Sequence, residues 1–427
     1  LGLLLGGILL GAATDSLVQA VSQVAALEFA GSVSASADEG SALMVAYGAG
    51  KVFGLIMAAP LILAVGMRRA LTLLLVGQIL CNLALAWQST LPGALPGALP
   101  AALVGRAVQG LLGGGVMAGA YAALVGLVPK QHHAVAQGLW GTVTLMLPAV
   151  FAALGGSLTD ASHWQHAMLV SVPLGLGALA ALRRALPPGH WPGSGLWAAS
   201  GLATLLWALV CALGQFVAIM GTRYNWDDVW WMGPVIVGFG AALALLLVLE
   251  WPKQALLHRG PLARPEFAFA CLTSLVSGYG LTATAMLAPL YVRRLFGFAA
   301  QDAGVLQLPS VVPIGLALGV SVVATQRNWL SASQLIVLGM AMFLASLGLW
   351  SQATSQVDMG FVATVVALRG GALGLMAVPT ARLAFARLDD LHAVYAAGYY
   401  QSARQWGGAL ATLTVTWRLA ETQSRFH

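Results

Sequence analysis

Carboxylates are scarce in this chain: Asp and Glu together supply 14 of its 427 residues, and charged side chains of both signs make up only 8%. Hydrophobic residues make up 59%, and the mean hydropathy of +0.84 is more than a water-soluble core could absorb. A soluble fold is excluded, and the chain reads as an all-α polytopic membrane protein. Cysteine is sparse too. Cys81, Cys211 and Cys271 fall in apolar stretches without metal or redox spacing, so no disulfide and no cofactor is expected. Basic runs interleaved with aromatics are missing. The formal charge of +6 comes from bases standing singly or in pairs beside apolar stretches, which argues against a nucleic-acid partner. The eight histidines lie almost entirely in connections, so neither a zinc site nor a histidine proton relay is supported. GLWGTV and LRGGALG follow no strand and precede no Lys-Ser/Thr, which leaves ATP-driven chemistry without support.

What the chain does have is long apolar runs. About twenty apolar residues cross a hydrocarbon core of about 30 Å, and by that ruler there are about thirteen spans. They cover 3–27, 42–65, 70–89, 99–126, 135–158, 165–182, 195–220, 229–250, 268–291, 303–324, 332–351, 359–380 and 393–416. Alternate connections carry Arg68/Arg69, Lys130, Arg183/Arg184, Lys253/Arg259/Arg264, Arg327 and Arg382/Arg387, more than half of the twenty Lys and Arg residues. The positive-inside rule makes that face cytoplasmic, together with the N-terminus. Arg293 and Arg294 run against the rule. Trp226, Trp230 and Trp231 suit an outer aromatic belt. The basic, Pro-bounded stretch WPKQALLHRGPLARPE, Trp251 to Glu266, reads as a hinge lying along the inner headgroups. The expected organisation is a six-helix bundle over 1–185, an inserted helix pair over 194–251, a cytoplasmic linker over 252–266 and a second bundle over 267–427.

Within the apolar runs stand one acid, Asp15, and the bases Lys51, Arg106, Arg369 and Arg404. A charge in hydrocarbon costs several kcal/mol unless it is paired or faces a wet cavity, so such residues mark a transport path. At 1.5 Å rise per residue each falls roughly 10–18 Å from a membrane face, and all of them fit one layer near the midplane. Asp15, Lys51 and Arg106 come from the first bundle and Arg369 and Arg404 from the second, which places a cavity between the halves. The plainer alternative is structural: Asp15 pairs with Arg106, or Arg404 caps carbonyls of a kinked helix. Pro148 and the glycines of Gln109 to Gly126 allow kinks and close helix contact.

Several segments then match a known pattern. TDSLVQA surrounds Asp15, GRAVQGLLGGG carries an Arg-x-x-Gln-Gly motif at Arg106, Gln109 and Gly110, and GLWGTVTLMLP, LGGSLTDASHW and VSVPLGLGAL follow in order. APLYVRRLFGFAAQDAGVLQLP and YYQSARQWGGAL, with Arg404, complete the series. Over nearly its whole length the chain resembles the fourteen-helix drug:proton antiporter branch of the major facilitator superfamily, the EmrB-like exporters. The resemblance implies two helical bundles plus an inserted helix pair, a fourteenth span missing after RLAETQSRFH, and a periplasmic adaptor as partner. There are departures. LAVGMRRA keeps the gating bases Arg68 and Arg69 but lacks the family's acid, and the fifth-span motif keeps Pro148 and Gly155/Gly156 with Phe151 and Ala152 interrupting.

The resulting expectation is a multi-pass protein of the bacterial inner membrane that exports an amphipathic, anionic or carboxylate-bearing small molecule in exchange for protons. Asp15 and Arg106 are the coupling candidates, Lys51, Gln109, Arg369, Tyr399 and Arg404 the substrate contacts, and Arg68, Arg69, Pro148, Gly155 and Gly156 the gating residues. A drug, a siderophore or a fatty-acid-like molecule fits as cargo. The alternatives are uptake of an organic anion and, from another class, a lipid-modifying membrane enzyme. An enzyme needs clustered acids or histidines at one interface, and only Asp227/Asp228 and Asp389/Asp390 come near that.

Overall fold

The computed structural model describes residues 1–24, 26–35, 37–88, 98–161, 164–188, 201–221, 229–253, 256–296, 305–352 and 358–425. Arg223, Trp226, Asp227, Asp228, His163 and the loop around Pro92 lie outside the described residues, as do the side chains of Asp160, Arg293 and Arg294. The described residues are helical, with no strand among them.

The first bundle contains α1 (Gly2–Val24), α2 (Ala26–Ser32), α3 (Ala37–Val65), α4 (Met67–Gln88), α5 (Ala98–Leu127), α6 (His133–Gly141), α7 (Leu147–Ala161), α8 (Trp164–Leu169) and α9 (Ser171–Ala185). The pair α10 (Gly201–Met220) and α11 (Met232–Lys253) packs together, with α10 also against α3. A short α12 (Arg259–Leu262) leads to the second bundle: α13 (Pro265–Phe296), α14 (Val311–Gln326), α15 (Ala332–Ser351), α16 (Met359–Phe385) and α17 (Asp390–Arg425).

Eleven helical stretches among the described residues are long and apolar enough to cross a membrane. Two expected spans fall short for different reasons. The expected 165–182 span is broken at Val170 into α8 and the 15-residue α9. The 36-residue α17 has length to spare, but Gln401, Arg404 and Gln405 dilute its apolar content.

Local chemistry sets the helix ends. Ser331 and Gln334 cap each other at the start of α15, and the Asp358 carboxylate accepts the Phe361 N–H at 2.9 Å to open α16. Gly66, at φ 85°, makes the sharp turn between α3 and α4 that a side chain would resist. Between α6 and α7 the chain widens into a π turn, Thr142–Met146. Pro148 follows directly; its ring and missing N–H disrupt the regular ladder there, and the wider turn absorbs the defect.

The two bundles meet on the face that carries Arg68, Arg69 and Lys130, called here the basic face. Tyr121 of α5 packs on Trp140 of α6 at 4.8 Å between ring centroids, and across the seam on Phe385 of α16 at 5.3 Å and Tyr400 of α17 at 5.9 Å. Gly138 and Gly141 of α6 lie against Val322 and Leu318 of α14, so small residues let the helices close on one another.

The linker is strapped to α17. The buried Glu250 carboxylate accepts the N–H groups of Leu256 at 2.7 Å and Leu257 at 3.3 Å. The Tyr399 hydroxyl accepts from the His258 N–H at 2.6 Å and lies 3.3 Å from the His258 carbonyl, to which it donates. His258 in turn caps α12, its Nδ1 accepting from the Gly260 N–H at 3.2 Å. Its ring stands 4.9 Å from that of His392 and 5.2 Å from that of Tyr395.

Burial, and then the neighbouring His392, hold the His258 imidazole below its ordinary pKa of 6.5. The unfolded chain therefore takes up this proton more readily than the folded one. The cap is intact at neutral pH and is lost as pH falls below 6.5, because the protonated ring has no acceptor at Nδ1. Protection factors over 256–266, with the intrinsic pH dependence of amide exchange divided out, are expected to fall as pH drops from about 6.5 to about 5. Protection factors that are flat across this range remove His258 from the strap. Tyr399→Phe leaves the His258 backbone groups short of partners and is expected to cost about 1–3 kcal/mol, with faster linker exchange already at neutral pH.

Candidate functional site

Two helices come unusually close at the centre of the first bundle. Gly50 and Gly54 of α3 face the backbone carbonyls of Ala107 and Leu111, while Gly110 and Gly114 of α5 face those of Tyr47 and Lys51. A Cβ at any of the four positions collides with backbone, so glycine on both helices is what permits the contact. The close approach sets Lys51 and Arg106 beside each other's helix.

Asp15 on α1 is fully buried and bonds Lys51 Nζ through Oδ2 at 2.8 Å. Lys51 also donates to Gln19 at 2.6 Å, and the Tyr47 hydroxyl donates to Asp15 Oδ1 at 3.2 Å. Arg106 joins this group through Tyr47, its guanidinium lying 4.6 Å from the Tyr47 ring and 5.4 Å from the Phe29 ring. Its hydrogen bonds run to Ser22 Oγ at 2.9 Å and Gln109 Oε1 at 2.5 Å. Gln109 passes the chain on to Asn82 at 2.7 Å, and Asn82 to Ser171 at 2.8 Å. Gln78 is fully buried beside Gly113 and Asp15, and neither end of its amide finds a protein partner. The result is a polar column crossing five helices, α1, α3, α5, α4 and α9, with one ion pair at its head.

The second bundle is arranged differently. Arg369 of α16 is 3% exposed and donates through Nη2 to Gln307 Oε1 at 2.8 Å, while its Nε and Nη1 find no partner. Half-buried Arg404 of α17 lies against the Tyr400 hydroxyl, and its Nε is also without a partner. Among the described residues no carboxylate is within ion-pair distance of either guanidinium. The other candidates are dispersed. Tyr399 faces the linker. Arg68 and Arg69 begin α4 on the basic face, Pro148 follows the π turn, and Gly155 packs on Val21 of α1 with Gly156 next to it on α7.

The structure thus joins Asp15, Lys51, Arg106 and Gln109 in one network, gives Asp15 a lysine as its direct ion-pair partner, and holds Arg369 and Arg404 apart from them. Reading charged residues alone missed Gln19, Ser22, Tyr47, Gln78, Asn82, Ser171 and Gln307. A helical-spacing signal was available for most: Asp15, Gln19 and Ser22 share one face of α1, Tyr47 and Lys51 one face of α3, and Gln78 and Asn82 one face of α4.

A model of the Major Facilitator Superfamily matches residues 3–412. The MFS-type transporter Rv1877 of Mycobacterium tuberculosis is 27% identical over 281 residues, covering 64% of this chain and 39% of the relative. The cephamycin export protein CmcT of Amycolatopsis lactamdurans is 26% identical over 278 residues, covering 62% of this chain and 55% of the relative. The chain therefore spans about half the length, or less, of these relatives. The crystal structure of the human organic anion transporter MFSD10 superposes with a TM-score of 0.60 at 14% identity, over 98% of this chain and 93% of that one.

Energetically, the Asp15–Lys51 pair is where the site is most exposed to mutation. Lys51→Ala leaves a buried carboxylate without its cation and is expected to destabilise by about 3–5 kcal/mol, whereas Asp15→Asn/Lys51→Ala together recover much of that loss. Chemical unfolding of the two single variants and the double variant measures the coupling. Additive losses mean that the pair contributes nothing as a pair.

Proposed function

Because the chain belongs to the Major Facilitator Superfamily, we propose that it is a proton-coupled exporter of the fourteen-helix drug:proton antiporter branch, working by alternating access in a bacterial inner membrane. Its cargo is an amphipathic small molecule bearing an anionic group such as a carboxylate. The observation that carries this reading is the buried Asp15–Lys51 pair, 2.8 Å long and tying α1 to α3. Protonation of Asp15 cancels the attraction and leaves the ammonium with Gln19, so one proton changes how two helices are held together. Arg106 acts on the same carboxylate from a distance, through Tyr47, which both of them contact.

The anionic part of the cargo falls to Arg369 and Arg404, which have positive charge and, among the described residues, no carboxylate within ion-pair distance. Export is supported by the relative named for cephamycin export, and an anionic cargo by the fold neighbour named as an organic anion transporter. Coupling then links a proton in one bundle to cargo in the other, through the single motion that reorients both.

One observation favours a second reading, uptake of an organic anion. Lys51 is occupied by Asp15 until a proton arrives, so an anion that binds Lys51 travels with the proton rather than against it. A pH-jump flux assay in vesicles of known orientation, run with carboxylate siderophores, a carboxylate-bearing antibiotic and lipophilic cationic dyes, separates the readings by the direction of movement. For the export reading, Asp15→Asn is expected to reduce proton-driven transport to background while cargo exchange without a gradient persists. A folded Asp15→Asn protein that still concentrates cargo against its gradient removes Asp15 from the coupling.

A further inference from the structure

We propose that Gln78 is the acceptor that holds the Asp15 proton once Lys51 has been released, a positioning residue for the protonated state of the site. The proposal rests on the reading of Asp15 as the proton carrier and adds what that carrier binds when it is neutral. Gln78 stands on α4, fully buried, and among the described residues of the first bundle its Oε1 is the one buried side-chain oxygen with no hydrogen-bond partner. Its Nε2 has none either. Gly113 of α5 lies between the two side chains: Gln78 Nε2 and Asp15 Oδ1 are both within 3.4 Å of the point where a Gly113 Cβ would stand. Carboxylate and amide therefore face one gap, and a half-turn of the amide brings Oε1 to it in place of Nε2.

The supply of lone pairs is what assigns this role. The ionised carboxylate is met by donors, Lys51 Nζ at 2.8 Å on Oδ2 and the Tyr47 hydroxyl at 3.2 Å on Oδ1. A protonated carboxyl is itself a donor, and an ammonium has no lone pair to offer it. Gln19 Oε1 already accepts from Lys51 at 2.6 Å. Tyr47 can accept only by turning its own O–H away from Asp15, which moves the unmet donor without removing it. Gln78 Oε1 is unoccupied and faces the same gap. An amide buried with both ends unmet is costly while Asp15 is ionised, and a bond to the neutral carboxyl recovers part of that cost, so Gln78 favours the arrival of the proton. The charged or titratable groups around the carboxyl are Lys51 and Tyr47 on α3, Arg106 on α5 and Cys81 on α4, whose thiol is committed to the Gly105 carbonyl at 3.4 Å. Others on elements packed against α1 are at helix ends, as Arg183 and Arg184 of α9 are, or exposed, as Glu28 and His166 are.

The deciding test needs no cargo. Chemical unfolding of the purified full chain near neutral pH is measured for Gln78→Met, an apolar side chain of similar length, in two backgrounds. In the unaltered chain Asp15 is paired with Lys51 and leaves Gln78 unmet; in Asp15→Asn the amide N–H stands in for the O–H of the neutral carboxyl. Gln78→Met is expected to stabilise the first and destabilise the second, moving the unfolding constant about tenfold in opposite directions. An amide that is merely structural, or that is satisfied by a bound water, destabilises both backgrounds when it is removed. That result overturns the proposal, and so does stabilisation of both. Should Asp15→Asn fail to fold, Asp15→Asn/Lys51→Ala is the second background, since it keeps the amide and removes the unpaired ammonium. In the pH-jump flux assay Gln78→Met is expected to move the pH profile about one unit toward acid, the equivalent of a tenfold weaker hold on the proton, and an unchanged profile overturns the proposal as well. The two readings fail separately. Loss of transport in Asp15→Asn without the reversal of sign removes Gln78 and leaves Asp15 as carrier, whereas the reversal with full proton-driven transport in Asp15→Asn removes the carrier and leaves the bond between the two side chains.

Discussion

A carboxylate buried in hydrocarbon needs a cation within bonding distance, and Asp15 finds one only because α3 and α5 are packed backbone against backbone. The glycines at 50, 54, 110 and 114 bring the two helices together and thereby fix where Lys51 and Arg106 project. Gly113 keeps the adjoining space open for the Asp15 carboxylate, which a Cβ there would strike. Small residues and charged residues in this bundle are thus one arrangement. The polar column that runs from Arg106 through Gln109 and Asn82 to Ser171 holds the arrangement in register across α4 and α9. Apart from Gln78 and the Arg106 Nε, which are buried without a protein partner, its members satisfy one another, so the cost of burying polar groups is shared along the column.

The second bundle lacks such compensation. Arg106 has amide, hydroxyl and aromatic neighbours and an acid one residue removed, whereas Arg369 has a single amide and Arg404 the Tyr400 hydroxyl. Corresponding depths in the two halves therefore carry unequal electrostatics: nearly balanced in the first, positive in the second. A transporter that must handle a proton and a charged cargo benefits from this separation, because a titrating acid placed beside the cargo's anionic group would repel it.

Much of this was legible in the sequence, and the reasons it was legible are also the reasons the rest was not. Hydropathy finds spans because lipid demands about twenty apolar residues in a row; it marked 393–416, where α17 runs despite its polar lining, and it read 165–182 as one span where the structure breaks the helix at Val170. Depth arithmetic placed Asp15, Lys51, Arg106, Arg369 and Arg404 in one layer; the structure brings the first three into one network and holds the two second-bundle arginines apart from it. Partner choice was beyond it. Whether Asp15 meets Lys51 or Arg106 depends on the rotation of three helices about their axes, which spacing along a single chain does not determine. Tyr399 illustrates the same limit: it neighbours Tyr400 in sequence, yet successive residues on a helix point about 100° apart, so one faces the linker and the other the seam.

Tyr400 also links features that otherwise look separate. Its ring belongs to the aromatic cluster with Tyr121 and Phe385 that closes the basic face, and its hydroxyl lies against Arg404. Opening the basic face requires Tyr121 and Trp140 to part from Phe385 and Tyr400, since these rings cross the seam between bundles. A change in the charge around Arg404 therefore acts on a residue that must move for the face to open. Asp15 is bound to the same motion by another route, because α3 carries Lys51 and its Leu55 carbonyl packs directly on Gly398 of α17. Proton and anion need not touch each other to be coupled; it is enough that each biases the same seam, one through α3 and the other through α17.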